Sequence, residues 1–278
     1  MFEHGPFRNA SQVMSTPPSS TVLSAFGVSQ PLVPLVGGQG LTWRAADVIF
    51  KPHEGNGRDL EWQASALRDV DPRLVRVARP LRSNNGLFVV DGWMATEFLH
   101  GQHRPNQWLD IISAGERFHQ SVQGLGQPSF FARRTDPWAR ADRIAWGEDK
   151  LAGQLGGLEP LVALRRAVRA PSQVVHGDLT GNVLFHETQP PAVIDLSLYF
   201  RPRGYAAAIV IVDALVWHGA STQLLAQAQA LGFPDFAQCF LRAVLFRALT
   251  DLVRDHANER VLEPYAQTFE LAEHLVST

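Results

Sequence analysis

The segment Val174–Leu196, VVHGDLTGNVLFHETQPPAVIDL, holds the residues best suited to chemistry. An apolar run ends in His176-Gly177-Asp178, a tight loop follows, and Asn182 opens a second apolar run. A third ends in Asp195, behind Ala192, Val193 and Ile194. Two strand-ending carboxylates and an amide from neighbouring turns can converge on one spot, where oxygen ligands suit Mg²⁺. Asn182 and Asp195 would donate to the cation, and Asp178 would stay free to accept a hydroxyl proton. Asp and Asn also make turns between strands. One such residue therefore says little, whereas the set in a strand–loop–strand context says more.

Other positions have a chemical and a structural reading side by side. Gly37-Gly38-Gln39-Gly40 lies between two expected strands, where glycines let backbone N–H groups approach phosphates; a hairpin turn uses the same residues. Only Lys51 and Lys150 among the 25 basic residues are lysines. A compact ammonium differs chemically from an arginine fork, so Lys51 at the end of the DVIFK run calls for explanation. Asp213 sits inside the apolar stretch Ile209–Val216 and must find a partner, because an unpaired buried carboxylate costs several kcal/mol. His176 reads as a side chain that fixes its own loop.

The elements that must position these groups follow from periodicity. Ser20 is expected to cap a short helix through Phe26. LTWR and DVIFK form a hairpin-related pair, and Asp59–Val70 has helical spacing with Leu60, Ala64 and Leu67 on one face. LVRVARPL, GLFVVDG and WMATEFL read as strands separated by Asn84-Asn85-Gly86 and Asp91-Gly92 turns. Helices are expected over 107–122, 138–146, 160–168, 205–218, 235–254 and 260–275. Short strands are expected at 173–175, 183–185 and 192–195. The texture changes at Leu99–Gly101. The expected organisation is a loosely attached tail over 1–20, a sheet-rich N-terminal lobe over 21–99 and a larger, mainly helical lobe over 100–278.

Composition narrows the function classes. The chain has 278 residues, 45% hydrophobic and 19% charged, ample for a buried core. A formal charge of −2 gives no strong field for nucleic acid or an anionic membrane, and neither is expected as a partner. One cysteine, Cys239, removes any intrachain disulfide and any cysteine-built zinc site. The longest apolar run, Tyr205–Trp217, is too short to span a bilayer, and the first twenty residues lack the apolar core of a signal peptide. A cytoplasmic location is expected.

HGDLTGNVLF and VIDL resemble the catalytic loop and metal-binding motif of the aminoglycoside phosphotransferase and protein-kinase-like superfamily. The resemblance spans residues 30 to about 220. It implies an α+β, two-lobed, protein-kinase-like fold. It further implies ATP (or GTP) with Mg²⁺, transfer of the γ-phosphoryl group to a small-molecule hydroxyl, Asp178 aligning that hydroxyl, and Asn182 and Asp195 holding the metal. Gly37, Gly38 and Gly40 would face the phosphates, and Trp43 stands where a third glycine is usual. Lys51 matches the phosphate-contacting lysine and Glu61 the glutamate that pairs with it; Glu54 is a rival for that role. Glu97-Phe98-Leu99 resembles the hinge, where the backbone of Glu97 and Leu99 would meet the base. VDALVWHG resembles the helix whose aspartate, here Asp213, braces the catalytic loop.

Two departures stand out. Asp178 and Asn182 are four residues apart where the family has five, and Leu-Ser-Leu follows Asp195 in place of the usual aromatic. The short loop motivates a second reading, a nucleotide-binding pseudokinase or regulatory module; a third is a scaffold without ligand. Residues 100–175 carry ten Lys/Arg against seven Asp/Glu, the wrong balance for attracting a polycationic antibiotic. Trp108, Trp138, Trp146, Phe130 and Phe131 could stack on a ligand or simply fill the core.

Overall fold

The computed structural model describes residues 16–35, 42–150, 157–254 and 259–277. The chain divides into two compact units, one of Met1–His103 with Val183–Asp195, the other of Arg104–Asn182 with Leu196–Thr278. Segment 183–195, placed by the sequence reading in the C-terminal lobe, thus groups with the first unit. Residues 1–15 of the expected tail, and Gly37, Gly38 and Gly40, lie outside the described residues.

The first unit opens with α1 (Ser20–Ala25), capped by Ser19, whose hydroxyl accepts the Val22 N–H. The cap is one residue earlier than expected, because Ser20 already has helical geometry. β1 (Val33–Pro34), β2 (Trp43–Ala45) and β3 (Val48–Pro52) precede α2 (Arg58–Ala66); β4 (Arg76–Val77), β5 (Val89–Val90) and β6 (Trp93–Glu97) follow. Five of these strands form an antiparallel sheet in the order β1-β2-β3-β6-β5. Side chains alternate across a strand. Phe50 is therefore fully buried among Val22, Trp43, Ala45 and Ala95, while its neighbour Lys51, paired in register with Met94, turns to the other face.

The chain then enters the second unit through α3 (Trp108–Ser121), α4 (Pro137–Trp146), α5 (Glu159–Ala163) and β7 (Gln173–His176). It returns to the first as β8 (Val183–Leu184) and β9 (Ala192–Val193); β9 pairs with β8 antiparallel and with β4 parallel. Back in the second unit, β10 (Leu198–Arg201) pairs antiparallel with β7. Helices α6 (Arg203–Trp217), α7 (Gln223–Gln229), α8 (Phe236–Arg254) and α9 (Ala266–Ser277) complete it. α6 is buried nearly all round, and α8 buries most of its length, Arg242 and Arg247 included.

Several elements differ from expectation for identifiable reasons. The helix expected over 160–168 stops at Ala163. Beyond it, the Arg166 N–H is taken by the Gln238 side chain, and those of Arg169 and Ala170 by Asp235. Tertiary acceptors replace the helical ladder there. Strand LVRVARPL shortens to Arg76–Val77, since residues after it leave β9 and run beside β6, with Leu81 N–H to Ala95 O and Glu97 N–H to Arg79 O. The span 260–275 begins as a 3₁₀ turn, Glu259–Tyr265, that contains Pro264, and only then becomes α9. α7 and β10 were not foreseen. No helix among the described residues is long and apolar enough to cross a membrane.

Candidate active site

In the first unit, Lys51 Nζ stands 2.8 Å from Asp195 Oδ1. Lys51 comes near the end of β3, a strand flanked by β2 and β6, and its backbone pairs with Met94 of β6, so its stem starts from a rigid point. Asp195 sits just beyond β9 with φ +50°. Asp tolerates this left-handed geometry better than most residues, at about 1 kcal/mol. The backbone kink at Asp195 directs its carboxylate to the lysine.

Glu61 does not pair with Lys51. It bonds Arg82 at 3.1 Å from the exposed first turn of α2, and Asp195 has the lysine instead. Sequence spacing put Glu61 on the right helix, but α2 turns that position to solvent, where an arginine meets it. At the proposed hinge, the Glu97 and Phe98 amides donate to Arg79 O and Asp47 O, fixing the backbone that leads to Leu99.

The second unit holds the other residues singled out in the sequence, Asp178 and Asn182. β7 delivers His176, fully buried, whose Nδ1 accepts the Asp178 N–H at 3.0 Å. The His176 N–H in turn donates to His119 Nε2 at 3.1 Å. His119 Nδ1 therefore carries the proton and faces Glu116 Oε1 at 3.2 Å; Glu116 also binds Arg203. Burial holds the His119 imidazole below its ordinary pKa, against the pull of Glu116. A neutral histidine thus anchors the strand that ends at the Asp178–Asn182 loop.

In that loop, Asn182 Nδ2 donates to the Asp178 carbonyl at 2.7 Å and approaches Asp178 Oδ2 at 3.3 Å. Gly181, at φ +77°, makes the tight turn that lets Asn182 reach back despite the missing residue. With its NH₂ committed, Asn182 presents Oδ1 as an acceptor. Gly177 is also constrained, since a Cβ there would lie 2.5 Å from the Tyr199 ring.

Asp178 Oδ1 accepts a 2.8 Å bond from Arg247 Nη2. Arg247, on α8, also grips Asp213 of α6 through Nε at 2.8 Å and Nη2 at 2.7 Å. Asp213 is 1% exposed, Arg247 7% and Asp178 44%. Burial raises the Asp213 carboxyl above its ordinary pKa, with Arg247 opposing; burial also works against the Arg247 charge, but the two carboxylates hold its proton more firmly than usual. Asp213 was expected to brace the loop, and it does so through an arginine that sequence reasoning missed. One signal was available: an arginine twenty-eight residues beyond the last recognised motif is unremarkable, yet the run AVLFRALT is otherwise apolar enough to require a buried partner for it.

Among the described residues no group of three or more His, Cys, Asp or Glu forms a metal cage. Asn182 Oδ1 in the second unit and the Asp195 carboxylate in the first are each hard oxygen donors of the type that suits Mg²⁺.

Residues 41–201 match the phosphotransferase enzyme family. Solved structures resemble the chain over nearly its whole length. An aminoglycoside phosphotransferase from Alicyclobacillus acidocaldarius superposes with TM-score 0.59 at 15% identity, covering 96% of this chain and 97% of that one. A choline kinase from Streptococcus pneumoniae gives 0.56 at 12% identity, with 92% and 96% covered. An aminoglycoside phosphotransferase in ternary complex with AMP-PNP and hygromycin B gives 0.54 at 14% identity, with 92% and 96% covered. No curated protein sequence matches. The expected α+β, kinase-like fold stands on these likenesses.

Proposed function

The chain belongs to the phosphotransferase enzyme family, and within that family we propose that it moves the γ-phosphoryl group of ATP or GTP to a hydroxyl of a small molecule. The observation that carries the proposal is the 2.8 Å pair of Lys51 and Asp195. It joins the residue suited to the nucleotide phosphates to the residue suited to their metal. Each would exchange this partner for a stronger one when the nucleotide arrives, and the pair preorganises both until then.

In this reading Lys51 contacts the α- and β-phosphates, and the backbone at Glu97 and Leu99 meets the base. Asn182 Oδ1 and Asp195 would hold Mg²⁺, which would supply charge neutralisation at the phosphates. Asp178 accepts a hydrogen bond from the acceptor hydroxyl and aligns its oxygen with the γ-phosphorus. The O–P bond forms as the bond to the β–γ bridging oxygen breaks, and the hydroxyl proton passes to Asp178. Most of the rate enhancement comes from alignment and electrostatics.

Similar structures include an aminoglycoside phosphotransferase bound to GDP and kanamycin, which supports nucleotide use and a hydroxylated acceptor in this chain too. The basic balance of residues 100–175 favours an acceptor of lower positive charge than an aminoglycoside. A non-transferring module finds less support, because Asn182 keeps its grip on Asp178 across the short loop. The test is ADP or GDP release over a panel of choline, sugars, hygromycin B and kanamycin. Asp178→Asn should lower turnover about 10²- to 10⁴-fold, to a small residual rate, and leave nucleotide affinity within about twofold; undiminished turnover would take Asp178 out of the mechanism.

A further inference from the structure

We infer that Arg247 is a positioning residue for phosphoryl transfer: from α8 it fixes one oxygen of the Asp178 carboxylate and so aims the other at the acceptor hydroxyl. The inference rests on the phosphotransfer reading above and adds to it a residue outside the matched family segment, residues 41–201.

Burial alone does not explain the contact. Asp213 already satisfies the Arg247 guanidinium through two bonds, at 2.8 and 2.7 Å, which completes a buried ion pair. Asp178 is 44% exposed and could be solvated by water without any protein partner. Arg247 nevertheless extends Nη2 to Asp178 Oδ1 at 2.8 Å. The guanidinium is itself held in place, lying 5.6 Å from the Trp217 ring centroid and 5.2 Å from that of Phe246. A planar, rigid fork clamped between a buried carboxylate and two rings defines a direction as well as a charge.

The consequence for Asp178 is specific. Oδ1 is committed to Arg247, and Asn182 holds the Asp178 carbonyl at 2.7 Å, so both ends of the residue are tied. Oδ2, with only the longer 3.3 Å approach of Asn182 Nδ2 against it, is the oxygen left to receive the acceptor. A carboxylate fixed in this way suits a loose transition state, in which aligning the nucleophile matters more than removing its proton early. The clamp also offers a reason why the loop works with one residue fewer: orientation comes from α8 as well as from the loop.

The experiment measures ADP release from Mg²⁺-ATP with water as acceptor, and with any active compound of the panel, for Arg247→Lys and Arg247→Ala. A lysine keeps the charge but cannot hold two carboxylates in a plane. Arg247→Lys should lower kcat about 10- to 100-fold with the KM for ATP within about twofold, the size expected for a misaligned nucleophile. Millimolar guanidinium should restore part of the rate of Arg247→Ala; if that variant does not fold, Arg247→Lys decides. Because Arg247 acts through Asp178, the double variant Asp178→Asn/Arg247→Lys should retain the same residual rate as Asp178→Asn alone. An unchanged kcat in Arg247→Lys, or a loss that multiplies with that of Asp178→Asn, would overturn the inference and leave the phosphotransfer reading intact. Wild-type protein that binds ATP and releases no ADP with any acceptor would instead overturn the phosphotransfer reading, and this inference with it.

Discussion

Lys51 illustrates how a single residue acquires its chemistry from its support. Its backbone is locked in register with Met94, and its ammonium meets Asp195, whose left-handed kink directs the carboxylate to it. Charge-assisted bonds of this kind contribute about 1.5–3 kcal/mol each. Lys51→Met should therefore weaken binding of an ATP analogue by roughly 10- to 100-fold, read by calorimetry in the presence of Mg²⁺. An affinity within twofold of wild type would remove Lys51 from the phosphate site. Glu61→Gln gives the contrast. Its partner is an exposed arginine, and exposed pairs contribute little. Nucleotide affinity in that variant should stay within about twofold.

At the scale of elements, α3 presses directly on the Asp178–Asn182 loop. A Cβ at Gly115 would lie 2.4 Å from Leu179 Cδ1, and Leu179 is 1% exposed and adjoins Asp178. Alanine raises helix propensity by about 1 kcal/mol over glycine, whereas overpacking a tight core costs about 1–3 kcal/mol. The clash should win, since Leu179 has little room to turn aside. Gly115→Ala is expected to lower the urea midpoint and to depress kcat through displacement of the loop; a more stable, fully active variant would show that Leu179 relaxes freely. The same logic makes α8 more than a core helix. Breaking a buried ion pair such as Arg247–Asp213 from one side costs about 3–5 kcal/mol, so α6, α8 and the loop depend on one another.

For the whole molecule, the buried His119, which supports the strand before the Asp178–Asn182 loop, couples folding to pH. His119 is held neutral by burial, so its pKa in the folded state lies below its value in the unfolded chain. The unfolded state then binds more protons as pH falls through about 6.5, and stability must rise with pH across that window, by up to about 1.4 kcal/mol per unit. Urea midpoints should drop between pH 7.5 and 5.5, and His119→Gln, which can still accept the His176 N–H, should flatten the slope. An equal slope in both proteins would assign the pH dependence to other groups.

How much of this was legible in the sequence differs by type of relation. Hydrophobic periodicity foretold α3, α4, α6 and α8 to within a few residues, because a helix that buries one face must space its apolar side chains accordingly. Local loop chemistry, with glycine and asparagine after an aspartate, singled out Asp178 and Asn182 as candidates, and a carboxylate ending an apolar run added Asp195. What sequence could not decide was partnership. Glu61 went to Arg82, Lys51 went to Asp195, and Asp213 reached Asp178 through Arg247, sixty-nine residues from Asp178 along the chain. Spacing records which face of its own element a residue occupies. Which charge stands opposite depends on how separate elements pack, and that is settled only when the chain folds.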